Sequence, residues 1–161
     1  MTDSELDIYD TTPPSPQRTL FSGAHSDTDT LLAGDLSKAR AIENENFPFE
    51  YLSDVAQVES WRKEVYRPIY HIHKWWAQRL GTVFRGIIIS TFADYDSDIK
   101  QLLYDRVRIP GVTVFDPFMG SGTTIGESLK LGSSAIGRDI NSVAHFLVRN
   151  AMSNHNRAAI D

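Results

Sequence analysis

Asp116, Gly120, Ser121, Gly122, Thr123 and Thr124 stand together in VTVFDPFMGSGTT (residues 112–124), and Asp139 closes SAIGRD about twenty residues further on. These are the groups a protein uses to grip a nucleotide-type cofactor. Glycines allow positive φ and let the backbone come close to a ligand. The hydroxyls of Ser121, Thr123 and Thr124 offer capping chemistry where a helix begins. A carboxylate at the end of the next strand can accept hydrogen bonds from ribose hydroxyls. Elsewhere, His71-x-His73 would place two imidazoles on one face of an extended segment, but no third ligand lies near in sequence, so a metal site is not expected. Trp75 and Trp76 are open to two readings, as core residues or as walls of a site.

Other phosphate-binding loops differ in what they require. An NTP-hydrolysing loop needs a lysine after its second glycine, and Thr123 stands there. A dinucleotide loop wants glycine three residues after Gly122, where the chain has Ile125, with Gly126 one place late.

Positioning these groups takes a β-α-β unit. Val112, Val114 and Phe115 suit a buried parallel strand, which Asp116-Pro117 ends because proline cannot donate to a ladder. A helix follows the glycines through Ile125, Leu129 and Lys130, with Gly132 as its C-terminal stop. Residues 134–139 form the second strand. Ser142 is a plausible cap for a further helix carrying Val143, Phe146, Leu147 and Ala151. Upstream, Leu52, Val55, Val58, Trp61 and Val65 recur at helical spacing as far as Pro68, residues 80–92 read as a largely buried helix, and residues 98–107 predict another through Ile99, Leu102, Leu103 and Val107. Pro110-Gly111 then turns the chain into the glycine-loop strand.

The chain has 161 residues, 41% of them apolar, enough for one modest domain, and no apolar run approaches a membrane span. It has no cysteine, which excludes a disulfide framework and a thiolate metal site; with no signal-peptide pattern at the start, a cytoplasmic location fits best. Its charge is uneven. Residues 1–50 hold ten acidic and three basic side chains, a net of −7, whereas residues 51–161 hold eleven and thirteen, a net of +2. The acidic part is also rich in Ser, Thr and Pro, a composition that buries too little apolar surface to offset ordering entropy. A disordered acidic tail is therefore expected over residues 1–45, and a folded part over 46–161.

DPFMGSGTT, a helix, then IGRDIN resembles the S-adenosylmethionine-binding motifs of DNA amino-methyltransferases, which methylate adenine N6 or cytosine N4. HKWWAQR (residues 73–79) is similar to a histidine- and tryptophan-bearing block ahead of the glycine loop in large adenine-specific DNA methylases. The resemblance spans roughly residues 66–150. It implies an α/β fold, the first β-α-β unit of a partial Rossmann-like methyltransferase fold, preceded by helices and the tail. It further implies that Asp116, Phe118, Gly120 and Gly122 line the methionine part of S-adenosylmethionine, that Pro117 and Ser121 belong to the same cofactor site, and that Thr123 and Thr124 stand at a helix start whose amides favour the carboxylate. Asp139 would take the ribose hydroxyls, Ile140 would pack on adenine beside Asn141, and His73, Trp75 and Trp76 would close the pocket. Arg138 and Ser142 depart from the usual pattern without removing a needed group.

A larger departure concerns catalysis. The family's catalytic motif, Asp/Asn/Ser-Pro-Pro-aromatic, holds the target amine and stacks on an extruded base. The chain's single Pro-Pro, Pro13-Pro14, lies between Thr12 and Ser15 with no aromatic. No catalytic residue is therefore assigned, and the chain alone is expected to be inactive. The reading is the cofactor-binding N-terminal part of a DNA amino-methyltransferase, either a split subunit or a truncated form. Its partners would be DNA, through the complete enzyme, and a second chain carrying the catalytic loop and target-recognition region. An RNA base methyltransferase fragment and a non-catalytic cofactor-binding or regulatory subunit are the alternatives.

Overall fold

A computed structural model describes residues 29–32, 36–61 and 73–152. It is a mixed α/β arrangement of five α-helices and short parallel strands, consistent with a partial Rossmann-like fold. Its centre is the apolar run 81–92, which forms helix α2 (Gly81–Phe92), with Ile88, Ile89 and Phe92 buried. Helix α1 (Phe49–Trp61) crosses it closely: a Cβ on Gly86 would stand 2.9 Å from Leu52 Cδ2. α1 also supplies the cap that α2 lacks. Its Glu59 carboxylate accepts from the amides of Gly81 (3.1 Å) and Thr82 (3.2 Å), satisfying two orphan donors at the positive end of the helix.

The sequence predicts a helix over residues 98–107, and the structure forms only one turn of it. Helix α3 (Ile99–Leu102) is capped by Asp98, whose Oδ1 accepts from Lys100 N and Gln101 N, and Val107–Arg108 is a strand. Val107 and Ile109 are buried with Arg108 less so between them, an alternation of two that outweighs the helical spacing of the leucines. This strand, β2 (Val107–Arg108), pairs in parallel with β1 (Thr30–Leu31), and Asp29 reaches Arg106 and Arg108 at 3.5 and 3.7 Å.

Packing thus begins inside the stretch expected to be a tail. Residues 1–28 and 33–35 of that stretch lie outside the described residues, but Ala41 is in the core, and the buried Arg40 guanidinium donates to Asp94 Oδ1 (3.0 Å) and toward Phe92 O (3.4 Å). Thr-Leu-Leu at 30–32 supplies the apolar strand, and Arg40 is held by partners more than fifty residues away, which local composition cannot reveal.

The second sheet carries the chemistry. Strand β3 (Thr113–Asp116) and strand β4 (Ser134–Gly137) pair in parallel, Phe115 beside Ile136 and Asp116 beside Gly137, joined through helix α4 (Thr123–Lys130). Helix α5 (Ser142–Met152) follows. Its cap is Asn141, not Ser142: Asn141 Oδ1 accepts from Val143 N at 2.9 Å. Its buried face also differs from the expected one. Ala144 and Val148 are buried with Met119 and Ile125 in a second small core, while Val143, Phe146 and Ala151 are exposed. No helix among the described residues is long and apolar enough to cross a membrane.

Candidate functional site

The loop from Asp116 to Gly122 is held almost entirely by its own amides. Asp116 Oδ1 accepts from Phe118 N (3.0 Å), Arg138 O from Met119 N (2.9 Å), and Met119 O from Gly122 N (2.7 Å). Arg138 N returns a bond to Asp116 O (2.8 Å), tying the ends of β3 and β4 together. Gly120 and Gly122 have φ of +50° and +78°, the left-handed region that a side chain disfavours. Gly122 is needed for space as well, since a Cβ there would lie 2.6 Å from Val148 Cγ2. The sequence assigns Gly122 to ligand approach; in the structure its missing side chain makes room for α5.

Asp139 lies two residues past β4, and both its oxygens face the loop region. Oδ2 accepts from Gly120 N and Oδ1 from Asn141 N, each at 2.8 Å. These amides, Asn141 first and then Gly120, hold the carboxyl below its ordinary range. A carboxylate has about four acceptor sites, so beyond these amides and the adjacent Ile140 N it keeps some acceptor capacity for a ligand hydroxyl.

The start of α4 is open to an anion. No side chain caps it; the first intrahelical bond runs from Gly126 N to Gly122 O, which leaves the amides of Thr123, Thr124 and Ile125 without helical partners. Thr123 Oγ1 instead donates to Arg79 O (3.2 Å) and lies 3.3 Å from Ser121 Oγ, fixing the segment ahead of α2 against the loop.

That segment separates the two tryptophans. Trp75 lies against Gly120, with Nε1 3.5 Å from where a Cβ would be, and packs on the second core; His73 meets it edge-on at 6.2 Å. Trp76 is 84% exposed with Lys74 Nζ over its ring at 4.4 Å. His71 lies outside the described residues, among which no group of His, Cys, Asp or Glu is placed to hold a metal ion.

Asp116, Phe118, Gly120, Ser121, Gly122, Thr123, Asp139, Asn141, His73 and Trp75 therefore converge around one loop, with Thr124 in the first turn of α4. Ile140, at 103% exposure, and Phe118, at 85%, stand out from it into solvent beside Pro117. His73, Trp75, Gln78, Ser121 and Leu147 enclose only about 10 Å³, room for a single water. A nucleoside needs some hundreds of Å³, far more than this space offers. Sequence reasoning missed Arg79, Met119 and Val148. Arg79 acts through its carbonyl, which no residue type announces; Ala144 and Val148, four apart, carry a helical signal that the larger Val143 and Phe146 obscure.

Residues 99–148 match a protein-family model described as DNA methylase. The match includes β3, the glycine loop, α4, β4 and α5 as far as Val148, so the resemblance to DNA amino-methyltransferases is borne out over this segment. Neither the curated proteins nor the solved structures gave a match.

Proposed function

We propose that this chain is the S-adenosylmethionine-binding part of a DNA adenine-N6 or cytosine-N4 methyltransferase, whose catalytic loop and target-recognition region come from outside these 161 residues. The observation that carries the reading is an uncapped α4 N terminus beside a carboxylate with free acceptor capacity, both within the segment matching the DNA methylase family. The cofactor supplies a methyl group on a sulfonium. Toward it, α4 offers amides of positive potential to a carboxylate, Asp139 offers its remaining lone pairs to ribose hydroxyls, and Ile140 and Phe118 offer apolar surface to a purine.

The open side of the sheet supports the need for outside residues. Val112 O and Asp116 O accept from Ser134 N and Arg138 N, so the alternation of a parallel ladder turns the N–H and C=O of Thr113 and Phe115 toward the other edge. Among the described residues no strand pairs there, and Phe115 and Ile136, adjacent in register, are each more than half exposed on one face. Parallel sheets are normally covered on both faces.

Ile140→Asp tests the reading cleanly, because a fully exposed side chain can change without disturbing the core. Calorimetry should show S-adenosylmethionine affinity falling by about tenfold or more, as about 1.5–3 kcal/mol of apolar contact is lost. Equal affinity in the wild type and the variant would reject this placement of the purine.

A further inference from the structure

Four amide donors of the loop, those of Phe118, Met119, Gly120 and Gly122, are satisfied inside the protein. Phe118 N and Gly122 N bond locally, to Asp116 Oδ1 and Met119 O. Two of the four cross nineteen residues of chain, Met119 N to Arg138 O and Gly120 N to Asp139 Oδ2, and of these two only the second ends on a side chain. The same carboxylate holds Asn141 N, Asn141 in turn caps α5 through Val143 N, and α5 returns Val148 to the space beside Gly122. Loop, carboxylate, cap and helix thus form a closed circuit that begins and ends on the two glycines.

We propose that Asp139 is a positioning residue that sets the glycine loop and the start of α5 as one unit before any ligand arrives, in addition to whatever it offers a cofactor. Gly120 sits at φ +50° against Trp75, and its amide is held by the Asp139 carboxylate. The carboxylate supplies two acceptors on a rigid plane, one for the loop and one for the residue that caps α5. An asparagine would place a donor against one of the two amides, so one bond would be lost and replaced by repulsion. The consequence for cofactor capture rests on the function proposed above; the clamp itself does not.

The test is made on the full chain without cofactor. Long-range HNCO spectra detect scalar coupling through a hydrogen bond, and they should show Gly120 N and Asn141 N both correlated with the side-chain carboxyl carbon of Asp139. The control is the coupling from Arg138 N to Asp116 C′. Presence of the control without the Gly120 correlation would overturn the proposal. In Asp139→Asn, exchange of the Gly120 amide should rise by roughly tenfold or more while Ile89 and Ile109 stay protected; unchanged Gly120 exchange with those two still protected would overturn it as well. Both readings are independent of S-adenosylmethionine. A chain that shows the clamp but binds no cofactor would refute the proposed function alone, and a chain that binds cofactor without the clamp would refute this proposal alone.

Discussion

Gly122 shows how one residue can carry a meaning in the structure that its motif does not disclose. A glycine pair before a helix suggests ligand approach, and positive φ at both positions fits that suggestion. Yet a Cβ on Gly122 would stand 2.6 Å and 3.1 Å from the two γ-carbons of Val148. Gly122→Ala should therefore destabilise the fold by about 2 kcal/mol, part of it steric and part backbone strain. Adding Val148→Ala should recover the steric share only, which denaturant unfolding of the single and double variants measures as a coupling energy. Asp116, Asp139 and the loop glycines were legible from residue type and spacing. The partners of Asp139 were not, since a backbone amide nineteen residues away leaves no trace in residue identity.

Element by element, the sequence was most readable where one period dominated. The buried helix over residues 81–92, the α4 helix with its Gly132 stop and the β3–β4 pair stand where their patterns place them. Residues 98–107 read as a helix through Ile99, Leu102, Leu103 and Val107, but Val107 belongs to a strand with Arg108 that pairs with Thr30–Leu31. The face of α5 was misread because its largest apolar residues are the exposed ones, and Val148 is buried only because Gly122 leaves room. Capping was equally hidden: α2 is capped from α1, by a glutamate twenty-two residues upstream of Gly81. Glu59→Ala should cost about 1 kcal/mol through the loss of this cap, seen as a lower denaturant midpoint with an unchanged slope. No change in the midpoint would mean that water satisfies the two amides equally well.

In the whole molecule, the proposed cofactor site stands without a catalytic loop. The loop, Asp139 and the α4 N terminus are present, whereas a Pro-Pro-aromatic loop that could orient an exocyclic amine is not among these residues. Positioning can contribute about 7–11 kcal/mol to such a displacement, and about 1.4 kcal/mol corresponds to tenfold in rate. The chain alone should consequently transfer no tritiated methyl group to mixed-sequence DNA above background. Transfer that survives stringent purification would reveal a catalytic group elsewhere in the chain; activity that requires a second protein bearing the Pro-Pro-aromatic loop would support a division of cofactor binding from catalysis.

Amide-resolved NMR titration with S-adenosylmethionine reads weak binding residue by residue and so tests the proposed site along the open side of the glycine loop. Saturable shifts should appear at Thr123, Thr124 and Ile125, the uncapped amides of α4, and at Ile140. Absence of shifts at saturating cofactor, or shifts confined to the separate surface cavity lined by Asn44, Phe47, Tyr95 and Lys100, would contradict that site.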